Sequence, residues 1–250
     1  MKFIDRIKED YSKVKDHSFK EKAEFFWEYY KIPFLCVLLA IVLLVQGIIT
    51  FNTQRETVYS AVMLNCRLGV EEEDFLSGFY AYAGIDEETQ LAAFYTDMSI
   101  MEGRSQKNAN TLQRIMAGIA IRDTDFIAGP PDAFHQCAYN TGNMLMDLRK
   151  FLDAETLEQL SDRLYYIDGA IIKLLNAPIG EHVEPSLIKY PDPLKPELME
   201  DPIPVGIDIS DRKTFVEAYY MANTKVFIGF VPNSQRQDLN HKLVDYLFKN

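Results

Sequence analysis

The sequence predicts an α/β domain carried on a single membrane-spanning helix, and three observations carry that prediction. An uncharged apolar run near the N-terminus is long enough to cross a bilayer. Beyond it, short runs of strand formers alternate with stretches of helical periodicity, the rhythm of βαβ units in a largely parallel sheet with flanking helices. A content of 48% hydrophobic and 12% aromatic residues in 250 is ample for a packed core. The chain divides accordingly into a tail (1–31), a transmembrane helix (32–52) and an α/β domain (53–250).

In the tail, Ile4, Ile7, Tyr11 and Val14 recur at helical spacing among charged residues. That pattern fits an amphipathic helix on the inner leaflet or on a partner helix, and equally a solvated helix. Phe25, Phe26, Trp27, Tyr29 and Tyr30 then crowd together just before the span. Amphipathic rings favour the headgroup layer, so these five are expected to anchor the membrane interface.

Between Pro33 and Phe51 there is no charge. Nineteen helical residues reach about 28 Å, close to the hydrocarbon thickness of a bilayer. A cleaved signal peptide would need a shorter n-region and a prompt small-x-small site, so an uncleaved signal anchor is the better reading. Lys13, Lys15, Lys20, Lys22 and Lys31 precede the span, whereas only Arg55 and Arg67 follow closely. The positive-inside rule therefore puts the N-terminus in the cytoplasm and the large domain outside the cell.

The net charge of −11 is uneven: residues 1–32 hold 8 Lys/Arg against 7 Asp/Glu, which leaves 18 against 30 in the remainder. An acidic domain argues against nucleic acid, whose binding needs clustered cations. Of the three cysteines, Cys36 lies in the span. Cys66 and Cys137 could form one disulfide outside the cell, or could both be buried thiols.

Along the domain, Val58–Leu64 reads as a buried first strand. Glu71 to Asp74 place favourable negative charge at the start of a helix that buries Phe75, Leu76, Phe79, Tyr80 and Ala83 and stops at Gly84. Leu91–Tyr95 is a second strand, and Leu112, Ile115, Met116, Ile119 and Ala120 share one helical face. Phe126–Ala128 is a third strand, with Pro131 in the first turn of a helix running toward Tyr139. Asp153 caps a helix burying Leu157, Leu160 and Leu164. Seven of the eleven prolines fall between Pro178 and Pro204, which marks a long irregular connection. Strands return at Ile203–Ile209 and Lys225–Val231, and Ser234 with Gln237 has the capping-box spacing of a last helix.

Catalytic signatures are missing: there is no His-Glu-x-x-His, no Gly-x-Ser-x-Gly elbow and no phosphate-binding Gly-rich loop. No catalytic residue, metal ligand or cofactor is assigned. Glu181-His182-Val183-Glu184 offers too few donors in a Pro-rich loop to count as a metal site. Carboxylates do recur where strands should end, at Asp97, Asp125, Asp168 and Asp208, and strand ends are the usual ligand crevice of an open α/β sheet. With Tyr95 and Tyr139 as flanking rings, these six are the candidate ligand-binding residues; turn and cap duty for the aspartates is the commoner alternative.

Thr124-Asp125-Phe126-Ile127-Ala128-Gly129, followed by Asp147-Leu148 and Phe151-Leu152, is similar to the middle of type 2 extracellular solute-binding proteins. So is the return through Pro204–Ile207 and Val226–Gly229 to Asn233-Ser234 and a helix ending Val244–Leu247. The Phe-Trp-x-Tyr-Tyr-Lys run also resembles uncharacterised single-pass proteins of Gram-positive bacteria. This resemblance implies a reduced two-lobed, periplasmic-binding-protein-like domain, with lobes at 57–128 plus 205–250 and at 129–204. It also implies binding of a small solute, a peptide or a partner membrane protein at the cell surface, without catalysis. Two other expectations stay open: an envelope scaffold subunit of a membrane protein complex, and a hydrolase using Asp or Glu pairs.

Overall fold

The computed structural model describes residues 18–53, 55–69, 71–103, 105–140, 143–178 and 187–248. The expected amphipathic stretch at Ile4–Val14 and the Glu181–Glu184 run lie outside the described residues. The chain forms two compact units, 1–54 and 55–250.

The first unit is helix α1 (Phe19–Thr53). It opens on a capping box: the Ser18 amide and hydroxyl both donate to the Glu21 carboxylate at 2.9 Å. The span and the ring cluster sit on this one helix, continuous through Pro33. Ring pairs at i,i+4 follow from helical geometry, with Phe25 4.7 Å from Tyr29 and Phe26 5.8 Å from Tyr30. The helix is long and apolar enough to cross a membrane, and none of its apolar window is buried. Leu39, Leu43, Leu44 and Ile48 are all exposed, as a lipid-facing surface requires and a core helix forbids.

The second unit holds β1 (Glu56–Met63), α2 (Glu72–Ala83), β2 (Gln90–Tyr95), α3 (Gln106–Ala120), β3 (Phe126–Gly129) and α4 (Pro131–Ala138). There follow α5 (Ala154–Gln159), β4 (Leu164–Asp168), α6 (Gly169–Leu175), β5 (Pro202–Asp208), α7 (Lys213–Tyr219), β6 (Phe227–Phe230) and α8 (Gln237–Phe248). Among the described residues one six-stranded sheet forms, in the order β2-β1-β3-β6-β5-β4.

The sheet is α/β but not largely parallel, which corrects the expectation. Only β1–β2 and β1–β3 run parallel; β3–β6, β6–β5 and β5–β4 are antiparallel. Long helical crossovers follow β1 and β2, and a crossover of that kind returns the chain in the same direction. After β3 the rhythm fails, because β4 joins the far edge and β6 is inserted between β3 and β5. β4, from the 129–204 stretch, hydrogen-bonds along its length to β5, so both stretches contribute to one sheet.

Strand alternation splits the core onto two faces. Tyr59, Ala61 and Met63 of β1 look toward α2, α7 and α8, where Phe75, Phe79, Phe215, Tyr219 and Leu243 are fully or almost fully buried. Val62, with Leu64 just beyond the strand, faces Ile115 of α3 and Cys137 of α4. Cys66 belongs to the first face and Cys137 to the second, and both are free thiols. Burial pushes each thiol up to about 12, with Glu72 adding to the effect at Cys66.

Local signals placed several boundaries. Gly84 ends α2 at φ 73°, a left-handed conformation that costs glycine nothing. The Asp153 carboxylate accepts from the Thr156 amide at 2.7 Å and caps α5. That helix stops at Gln159, so Leu164 belongs instead to β4. Ser234 lies three residues ahead of α8, because its hydroxyl is drawn to the buried Asp125.

Candidate functional site

The six predicted ligand-binding residues do not converge. Strand register puts Asp97 and Asp208 at the sheet edge that holds the carboxyl ends of β1 and β3, and Asp125 and Asp168 at the opposite edge. Each has a local task. Asp97 is exposed and pairs with Arg114 at 2.9 Å. Asp208 accepts from the Ser210 amide at 2.9 Å and from its hydroxyl. Asp168 accepts from the backbone amides of Ala170, Glu200 and Asp201, each at 3.0 Å. Burial alone would raise its carboxyl, but those three donors with Lys173 outweigh it and hold Asp168 below the usual range. Tyr95 sits 3.4 Å from Asp123 through its hydroxyl.

Asp125 is fully buried and acts as a tie. Its carboxylate accepts from the Ser60 amide at 2.8 Å, the Ser234 hydroxyl at 2.6 Å and the Arg236 guanidinium at 3.0 Å. Arg236 also donates to the Thr57 carbonyl, and Val231 donates to the Asp125 carbonyl. A buried carboxylate with three donors joins β1, β3 and the entry to α8, and its complete burial keeps it out of reach of a ligand.

The crevice beyond the carboxyl ends of β1 and β3, where an α/β sheet usually holds its ligand, is bridged by the chain's own groups, and beside them a shallow pocket of about 440 Å³ stays open, lined by Asn65, Arg67, Asp97 and Met98. The Asn65 side chain accepts from the Ile100 amide and donates to the Ile100 carbonyl, both at 2.8 Å. The Arg67 and Gly69 amides bond to Tyr219 and Ala218 at the end of α7. A side chain at Gly69 would collide with the Glu217 carbonyl, so glycine permits this close approach.

An open groove of about 630 Å³ lies elsewhere, between α3 and α4, bounded by Leu175 and Tyr190. The two helices expose different residues for a common reason. On α4, Ala133, Phe134, Cys137 and Ala138 face the sheet, which turns Asp132, His135, Gln136 and Tyr139 outward at spacings of three and four. On α3, Ser105 caps the helix by accepting from the Asn108 amide at 3.1 Å, and Asn108, Ala109 and Leu112 line the opposite wall.

Three rings form the floor of this groove. His135 lies 4.8 Å from Tyr139 and 4.7 Å from Tyr190, and the two tyrosines are 4.6 Å apart. The Tyr139 oxygen accepts from the Asp168 amide at 2.9 Å, and His135 Nδ1 lies 3.1 Å from the Tyr165 hydroxyl. Burial lowers the His135 pKa against the opposing pull of Asp132, which favours the neutral imidazole. Burial likewise pushes Tyr139 up to about 12. The Asn108 amide is held by the Met101 and Gly103 carbonyls, and Gln136 also donates to Met101.

Tyr139 alone of the six predicted residues lines this groove. The polar face of α4, Asp132-x-x-His135-Gln136-x-x-Tyr139, was visible as a helical stripe, but Asn108 and Tyr190 reach it only through tertiary packing. Among the described residues no group of three or more His, Cys, Asp or Glu could hold a metal ion. Comparison of the chain with protein-family models, with curated proteins and with solved structures gives no match.

Proposed function

We propose that this chain is a membrane-tethered, extracytoplasmic and non-enzymatic binding domain, akin to a solute-binding protein, that holds a small solute or peptide in the α3–α4 groove. One observation carries the reading. The groove's volume of about 630 Å³ falls within the ~300–1,000 Å³ typical of small-molecule sites, and it combines aromatic faces with a few fixed polar groups. The exposed apolar helix α1 supports the tether, and the lysines before the span support the orientation.

The test is a thermal-melting screen of the full chain in detergent against sugars, amino acids and short peptides. A ligand at 100 times its Kd should stabilise the folded domain by about 2.7 kcal/mol. Ala109→Trp, which fills the groove from an exposed position on α3, should abolish the shift. A shift that survives this variant would move the site elsewhere. A second reading, an envelope scaffold subunit, draws support from the hydrogen bonds by which the chain bridges its own strand-end crevice. No shift across the screen, with a membrane protein co-purifying at fixed stoichiometry, would favour it.

A further inference from the structure

We propose that the α3–α4 groove takes a small organic ammonium cation, bound by its charge at the acidic rim and by its alkyl groups against the His135, Tyr139 and Tyr190 rings. This rests on the reading of the groove as a binding site and assigns the chemical class of its ligand. The two formal charges among the described lining residues are both negative, Glu102 and Asp132, each exposed at the rim. No described Lys or Arg lines the groove.

The floor adds no opposing charge. Burial lowers the His135 pKa, which favours the neutral imidazole, and the Tyr139 and Tyr190 rings line the groove. A cation within about 6 Å of such a ring is attracted by its quadrupole, most strongly where water is displaced. Alkylated ammonium groups suit this floor, because they have a diffuse charge and an apolar surface that needs no hydrogen-bond acceptor. An anionic ligand would meet two carboxylates and no cation among the described lining residues. A neutral ligand would gain the rings but nothing from the rim.

The test is isothermal titration of the full chain in detergent micelles with three probes of nearly one shape. These are choline, its neutral isostere 3,3-dimethylbutan-1-ol and the anion 3,3-dimethylbutanoate. Choline should bind about tenfold or more tighter than the neutral isostere, in line with a desolvated cation–π contact plus the rim charges. Glu102→Gln and Asp132→Asn should each weaken choline roughly two- to fivefold while leaving the isostere unchanged, the range exposed ion pairs deliver. Tyr190→Leu should lose the preference for choline, and Tyr190→Phe should keep it. Equal affinity for choline and the isostere, or tighter binding of the anion, overturns the cation assignment. If that binding is also lost in Ala109→Trp, the groove itself stands as a binding site. Failure of all three probes to bind, in protein that melts cooperatively, removes the cation assignment; the solute screen then decides the groove separately.

Discussion

The two halves of the sheet satisfy their buried carboxylates in opposite ways. In the parallel half, Asp125 at the foot of β3 is fully buried and relies on the Arg236 guanidinium, itself only a quarter exposed, together with a hydroxyl and an amide. In the antiparallel half, Asp168 at the end of β4 is 6% exposed and is served chiefly by backbone amides. The edges differ in the same sense. β4 is closed by the chain itself, since Tyr166 donates to the Pro193 carbonyl at 2.8 Å, and the proline-rich connection thus protects an edge strand. A charge deep in the parallel half needs a counter-charge, whereas a charge at the rim needs only oriented peptide groups.

Substitutions can break this comparison. Asp125→Ala should have the largest effect, about 3–5 kcal/mol, because it leaves the half-buried Arg236 guanidinium without its carboxylate and the Ser60 amide without its side-chain acceptor. Urea denaturation of the full chain in detergent measures it, and a loss under about 1 kcal/mol would mean that the tie is not the anchor of its half. Asp168→Ala should cost less, about 1–2 kcal/mol, as caps with water access do.

The depressed pKa of Asp168 sharpens the contrast with a pH scan. Its contribution is fully present above the ordinary carboxylate range and is lost as the pH falls through its lowered folded value. Asp168→Asn should therefore remove part of the acid sensitivity of the wild type. His135 acts at higher pH. Its folded pKa lies below the usual 6.5, so the unfolded chain takes up the proton first and stability declines as the pH falls below about 6.5. His135→Gln should flatten that limb of the stability profile; an unchanged limb would show that the imidazole is not held neutral.

The smallest effect is expected at the exposed Asp97–Arg114 pair. Asp97→Ala should change the unfolding free energy measured in urea by less than about 0.5 kcal/mol. It should also leave any groove ligand unaffected, since Asp97 does not line the groove. A larger loss would contradict the division between buried ties and surface pairs.

What can be read from the sequence depends on each element's own pattern, and β5, β6 and α8 are as legible as the elements of the parallel half. β1, α2, β2, α3, β3 and α4 each announce themselves through local periodicity, an acidic first turn, Gly84 or Pro131, because each spans enough residues to show its pattern. α6 and α7, at seven residues each, are too short for a periodic signal and escaped notice. Asp125 and Asp168 were singled out as ligand residues because a carboxylate at a strand end looks the same whether it meets a solute, an arginine or three amides.

The sequence by itself determined an apolar helix long enough to cross a membrane, the strands and helices through β3 together with β5, β6 and α8, and the ring cluster at the start of the apolar run. These depend on apolar continuity and on periods of two or 3.6 residues, which adjacent residues carry in full. Only the tertiary structure decided the strand order, the antiparallel half, the bridging of the strand-end crevice and the groove. The groove joins residues 102–112, 132–140, 175 and 190, and the Asp125 tie joins Ser60 to Ser234 and Arg236. Such contacts arise when distant elements compete to bury apolar faces and satisfy the polar groups trapped between them, a choice made by the whole chain at once.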